Sequence, residues 1–172
     1  LSLQASHAFP HPTMARILIA GGSLGGLMAA NLLLRAGHEV TVLEKVVGSM
    51  NGRGAGIVTH DALVAGLQRC GLDPQASLGV AITERIALDS AGSVLGQMAM
   101  PQVLTSWSRL YQLLTALLDQ WPRGQATQAY REGVTVERVE QDMRGVRLFT
   151  DGGMFEGDML IAADGIRSAV RH

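Results

Sequence analysis

The sequence predicts an α/β fold, a parallel sheet with helices packed on it and a β-meander attached. Three features point to it. The apolar run Ile17 to Ala20 enters a glycine turn and is followed by a helix-spaced segment and a Val- and Thr-rich run ending at Glu44. Near the other end, Asp158 to Ala163 is a second apolar run that stops at Asp164-Gly165. Between them, residues 134 to 156 alternate polar and apolar side chains between turn residues. Continuous apolar runs suit strands covered on both faces, as in a parallel sheet, whereas alternation suits strands with one wet face.

Taken in order, Leu1 to Thr13 hold two prolines and two histidines but neither the cationic start nor the apolar core of a signal peptide. They read as a disordered extension, with Met14 as the expected natural start. Ile17 to Ala20 is the first strand. Leu24 to Ala36 follows with helical spacing of Leu27, Met28, Leu32 and Leu34, and Gly37 is its C-terminal cap. Glu39 to Glu44 is the second strand, completing a βαβ unit of about 30 residues. A glycine-rich loop over 48–56 leads to a helix from Thr59 to Cys70, with Leu63, Val64 and Leu67 inward and Gly71 as cap. Val80 to Val103 shows short β-like runs broken at Ser90-Ala-Gly92 and at Pro101. Ser108 to Gln120 is a helix with Leu110, Leu113, Leu114, Leu117 and Leu118 on one stripe. Val134 to Glu140, Gly145 to Thr150 and Met154 to Glu156 make the meander, with turns at Gln141-Asp142 and Asp151-Gly-Gly153.

Composition narrows the function classes. Among 172 residues, 47% are hydrophobic and 17% charged, which suits one folded domain or part of a larger one and not a disordered chain. A net charge of −1, with no long basic run, gives no electrostatic footprint for nucleic acid or an anionic membrane. No stretch reaches the roughly 18 apolar residues of a membrane span. The single cysteine, Cys70, cannot form an internal disulfide, so a cytoplasmic location is expected. His38, His60, Cys70 and Trp107 each stand without a partner at catalytic or metal-ligand spacing and are read as structural or surface residues. No metal site and no Ser-His-Asp order stands out.

Nucleotide chemistry is concentrated at the first turn. A dinucleotide fingerprint needs one glycine for a tight strand-to-helix turn, a second for close approach of backbone to pyrophosphate, and a third for close helix–strand packing. Gly21, Ser23 and Gly26 occupy those places, so Ser23 must turn its side chain away from the phosphates or bond one of them. Leu24 and Gly25 open a helix whose free N–H groups and positive dipole end suit an anion. Glu44, followed by Lys45, can accept ribose hydroxyls and repels a 2′-phosphate, so FAD or NAD is expected there and not NADP. A glycine turn followed by an unrelated surface glutamate would leave the same residues. These features make the expected fold Rossmann-like.

The later residues distinguish the nucleotides. Asn51-Gly-Arg53-Gly-Ala-Gly-Ile57, Thr105-Ser-Trp-Ser-Arg109-Leu-Tyr and Asp158-Met-Leu-Ile-Ala-Ala-Asp164-Gly165-Ile-Arg-Ser168-Ala-Val-Arg171 accompany the first motif in this order. Together they resemble the FAD domain of the class A flavoprotein monooxygenases, nearest in motifs to the dihydroxypyridine hydroxylase subgroup, over about residues 15 to 172. That resemblance implies an FAD-binding fold with Arg53 beside the flavin, Arg109 approaching the cofactor and Val136 against the adenine. It further implies Asp164, Gly165, Ser168 and Arg171 along the pyrophosphate. The implied activity is reduction of FAD by NADH or NADPH, capture of O₂ as a flavin hydroperoxide, and hydroxylation of a small aromatic or N-heteroaromatic substrate. On the same ground, residues 76–104 resemble the start of a substrate-facing sheet. Relatives run to about twice this length, as expected of a nucleotide domain plus a substrate domain, so the chain is expected to be an N-terminal part, incomplete at its C-terminus. Another FAD- or NAD-dependent oxidoreductase, or a non-catalytic fragment, are the rival expectations.

Overall fold

The computed structural model describes residues 14–48, 56–121 and 130–171. In chain order its elements are β1 (Arg16–Ala20), α1 (Leu24–Arg35), β2 (Glu39–Glu44), β3 (Gly56–Val58), α2 (Asp61–Arg69), β4 (Val80–Leu88) and β5 (Val94–Ser106). Then follow α3 (Trp107–Asp119), β6 (Tyr130–Glu132), β7 (Val136–Asp142), β8 (Gly145–Thr150), β9 (Gly153–Gly157) and β10 (Met159–Ala162). The expected extension over residues 1–13 lies outside the described residues.

The α/β fold is the one expected. Four strands form a wholly parallel sheet in the order β10-β1-β2-β6. β1 sits inside it, and its alternate side chains enter two different cores. Ile17 and Ile19 pack with Leu27, Ala30 and Leu34 of α1, with Leu110, Leu114 and Leu118 of α3, and with Leu67 of α2. Leu18 packs on the opposite face with Leu43, Val146 and Leu148, under the antiparallel meander β7-β8-β9. Burial on both faces is why these strands read as continuous apolar runs.

Helix ends follow their local chemistry. Past α1, Gly37 adopts φ +87°, its N–H donates to the Leu34 carbonyl at 3.0 Å, and that of His38 donates to the Leu33 carbonyl at 3.1 Å. This pair of bonds is the Schellman closure that only a left-handed residue permits cheaply. α2 begins two residues later than expected because the Nδ1 of His60 accepts the Leu63 N–H at 3.2 Å and serves as N-cap. Ser106 caps α3 in the same way, accepting the Arg109 N–H at 3.1 Å.

Two expectations need correction. Pro101 does not break the strand: β5 runs through it and pairs with β4 along a long hairpin. The register shifts between Ile82↔Gln102 and Glu84↔Ala99, leaving Met100 and Pro101 opposite a single residue. A bulge removes the need for the N–H that proline lacks. The turn after β7 also lies later than expected, at Met143-Arg144. β3 and β6, three residues each, are too short to leave a periodicity in sequence. Among the described residues, no helix is long and apolar enough to cross a membrane.

Candidate functional site

The C-terminal ends of β1, β2 and β10 meet where the glycine turn enters α1. Gly21 follows β1 with φ +102°, and a Cβ there would lie 2.4 Å from the Ala163 carbonyl oxygen, so the two nucleotide motifs touch backbone to backbone at this point. Gly26 serves the packing role: its Cβ would fall 1.9 Å from the Gly21 carbonyl oxygen. Ser23 is extended at the N-cap position, and its side chain makes no capping bond. The first bond of α1 runs from the Leu27 N–H to the Ser23 carbonyl at 2.9 Å. Helix geometry therefore leaves the N–H groups of Leu24, Gly25 and Gly26 without an acceptor in the helix. No acidic residue occupies this first turn, so nothing within the helix offsets its attraction for an anion.

Glu44 closes β2 and is only 6% exposed. One carboxylate oxygen accepts the Gly22 N–H at 2.7 Å and the other accepts the Val46 N–H at 2.9 Å. A carboxylate oxygen has two acceptor positions. Glu44 thus organises the turn and retains one position on each oxygen. Lys45 is exposed immediately after it.

The second motif is a chain of turns stabilised by its own polar groups. Asp164 accepts the Ala169 N–H at 2.7 Å and the Val170 N–H at 3.4 Å, spanning a loop in which Gly165 takes φ +81°. Burial raises the Asp164 carboxyl, but the Ser168 hydroxyl and these N–H groups together outweigh it, and the net shift is below the usual carboxylate range. Ser168 is the residue type that caps a helix. No helix is assigned over 163–171, although the buried Ser168 hydroxyl accepts the Arg171 N–H at 3.2 Å, the bond that an N-cap serine makes.

A cavity of about 490 Å³ lies between the two motifs. Of the expected residues, Gly21, Ser23, Glu44, Lys45, Val136, Asp164 and Gly165 line it. Gly25, Ser168 and Arg171 line an adjoining hollow of about 600 Å³ that shares Asp164 and Gly165. Leu24 and Gly26 line neither hollow; Leu24 opens α1, and Gly26 supports the turn. Arg109 lines neither: its guanidinium donates to the Ser77 carbonyl at 2.7 and 3.2 Å. Arg53 lies outside the described residues.

Several lining residues escaped sequence reasoning. Val46, Val134, Thr135 and Arg167 reach the main cavity because β7 and the second motif pass over the end of β2. Trp107, expected to be merely structural, forms part of the wall and stacks on Tyr111 with ring centroids 5.0 Å apart. Tyr130 supports the turn from behind, and its hydroxyl donates to the Gly22 carbonyl at 3.1 Å. Burial holds the Tyr130 phenol well above the ordinary tyrosine range. Nothing in its sequence neighbourhood signals this, since the contact joins residues far apart in the chain. Among the described residues no group of three or more His, Cys, Asp or Glu side chains could hold a metal ion.

Comparison with known proteins agrees with this geometry. The chain is 32% identical over 162 residues to 2,6-dihydroxypyridine 3-monooxygenase of Paenarthrobacter nicotinovorans, covering 93% of this chain and 39% of that protein. It is 36% identical over 165 residues to FAD-dependent urate hydroxylase of Klebsiella oxytoca, covering 91% and 42%. Among solved structures, 2,6-dihydroxypyridine-3-hydroxylase from Arthrobacter nicotinovorans superposes with a TM-score of 0.79 at 31% identity, over 93% of this chain and 39% of that one. Klebsiella pneumoniae HpxO, complexed with FAD and uric acid, gives 0.74 at 26% identity, over 94% and 41%. The chain thus spans about 40% of the length of these relatives. The family model described as FAD binding domain matches residues 14–172, and the chain belongs to that family.

Proposed function

We propose that this chain supplies the FAD-binding part of an NADH- or NADPH-dependent flavoprotein monooxygenase that inserts one oxygen atom of O₂ into a small aromatic or N-heteroaromatic ring. The observation that carries the proposal is the convergence of the α1 N-terminus, Glu44 and the Asp164-Gly165 turn on one cavity. A dinucleotide needs these three together: an anion site, a ribose acceptor and a second wall against the pyrophosphate. The residues fit the group. The Ser23 side chain makes no capping bond, and a Cβ at Gly25 would meet nothing within 4 Å, so backbone and hydroxyl are both open to a ligand.

In this assignment the N–H groups of Ser23 and Gly25 and the Ser23 hydroxyl hold the pyrophosphate, while Leu24 and Gly26 shape the turn that presents them. Glu44 receives ribose hydroxyls at its two remaining acceptor positions and rejects a 2′-phosphate, while Lys45 flanks it. Val136 meets the adenine as part of an apolar wall with Val134. Asp164 and Gly165 form the opposite side, with Ser168 and Arg171 in the adjoining hollow. Arg53 and Arg109 are the cations assigned to the flavin side; the two bonds of Arg109 to Ser77 leave guanidinium donors to spare.

FAD bound there would supply the redox chemistry, by which two electrons from NADH or NADPH and two protons let one oxygen atom of O₂ enter an electron-rich ring while the other leaves as water. The protein's own residues bind, orient and exclude water. The hairpin β4-β5 exposes Val80, Ile86, Leu88, Val94, Leu95 and Met98, which supports assigning residues 76–104 to a substrate-facing sheet. The deciding experiment is a visible spectrum of the chain after loading with FAD and desalting. A flavin band retained near unit stoichiometry is expected and leads to NAD(P)H oxidation assays; a colourless protein would refute the claim that these residues suffice to hold the cofactor.

A further inference from the structure

Gly22 is buried between two side chains brought together from distant parts of the chain. Its N–H donates to Glu44 at 2.7 Å and its carbonyl accepts the Tyr130 hydroxyl at 3.1 Å. The fit is close, since a Cβ on Gly22 would lie 2.4 Å from the Tyr130 oxygen and 2.7 Å from the ring. Tyr130 has one hydroxyl hydrogen and gives it to Gly22, so its 3.3 Å contact with the Tyr111 hydroxyl requires Tyr111 to be the donor. Tyr111 in turn stacks on Trp107, which lines the same cavity as Ser23.

The Gly22–Ser23 peptide is trans, and a trans peptide points its C=O and N–H to opposite sides. With the carbonyl held by Tyr130, which does not line the cavity, the Ser23 N–H is directed away from Tyr130, and Ser23 does line the cavity. Gly22 has no Cβ to restrict rotation of this peptide. A rotated peptide would turn a carbonyl oxygen toward the anion site in place of an N–H.

We propose that Tyr130 is a positioning residue for the phosphate-facing turn: together with Glu44 it holds the Gly22 backbone from both sides and keeps the Ser23 N–H turned to a pyrophosphate. The proposal rests on the dinucleotide assignment of the cavity. It concerns a residue that touches the turn but does not line the cavity, and its partner Tyr111 acts one step further back.

The test is Y130F, which keeps the ring and deletes the donor, with ADP as probe and adenosine as the control that lacks phosphate. Loss of one oriented hydrogen-bonding group should weaken ADP about tenfold and leave adenosine unchanged. Without any ligand, the Ser23 amide resonance in a ¹⁵N–¹H correlation spectrum should shift, because hydrogen bonding at the Gly22 carbonyl polarises that same peptide. Y111F should move both readouts in the same direction by less, and it decides the matter if Y130F does not fold. Equal weakening of ADP and adenosine, no weakening of either, or an unmoved Ser23 amide would overturn the proposal. If the unmodified chain binds no ADP, the dinucleotide assignment fails, and the Ser23 amide alone then decides whether Tyr130 orients the turn.

Discussion

Two adjacent glycines in the first turn of α1 should respond oppositely to the same methyl group. At Gly26 an added Cβ would lie 1.9 Å from the Gly21 carbonyl oxygen, 3.0 Å from its carbon and 3.5 Å from Ile19 Cγ2. The obstruction is backbone, so α1 must move off the turn by roughly 1 Å or more, and overpacking of this kind costs about 1–3 kcal/mol. Alanine recovers up to about 1 kcal/mol of helix propensity, less in a first turn. The net loss is about 1–2 kcal/mol, which at this length lowers Tm by about 2–8 °C. At Gly25 the same Cβ meets nothing within 4 Å, so G25A should melt at or slightly above the parent temperature. Yet that methyl occupies the face assigned to the pyrophosphate, and G25A should retain FAD about tenfold less tightly through the same overpacking cost. Thermal unfolding followed by circular dichroism, with flavin retention measured on the same samples, reads both effects. G26A melting with the parent would refute the packing argument; G25A binding FAD as the parent does would refute the ligand placement and leave the packing intact.

Other substitutions probe the polar groups. E44Q replaces one acceptor oxygen by an amino group, so either the Gly22 or the Val46 N–H loses a charge-assisted partner. A lower denaturant midpoint worth about 1.5–3 kcal/mol is expected, and an unchanged midpoint would show that Glu44 does not hold the turn. Asn31, fully buried on α1, donates to the Leu27 carbonyl at 2.9 Å and to the Leu114 carbonyl of α3 at 3.1 Å. N31D faces both carbonyls with a buried carboxylate and should cost about 3–5 kcal/mol by urea unfolding; parent-like stability would rule out this amide as the joint between the helices. Burial pushes the Cys70 thiol up from 9.0 to about 11, with Arg35 pulling weakly the other way. Its folded value exceeds its unfolded one, so its contribution is complete below about pH 9 and disappears as pH rises toward about 11. Urea midpoints across that window should fall in the parent and fall less steeply in C70A, the remainder coming from Tyr130, whose phenol is raised in the same sense. Equal slopes in parent and C70A would exclude the thiol.

The parallel strands, the α1 turn, its glycine cap and the leucine face of α3 were all legible in the sequence. Each depends on residues within one or two turns of chain, where periodicity and glycine placement act directly. So were the two glycine-bearing motifs, because few side chains are admitted where a Cβ would meet backbone oxygen, as at Gly21 and Gly26, or where the backbone is left-handed, as at Gly165. Tertiary structure alone decided the rest. It carried β5 through Pro101 by a bulge, inserted the short β6 beside β2, and left 163–171 as turns held by Asp164. It also turned Glu44 into the acceptor for two backbone N–H groups, engaged Arg109 with Ser77 and set Tyr130 behind Gly22. Apart from the Glu44–Val46 bond, these last contacts join residues tens of positions apart or more, and no local pattern constrains such pairs. Only folding, which brings buried polar groups together and makes each find a partner, determines which side chain meets which peptide group.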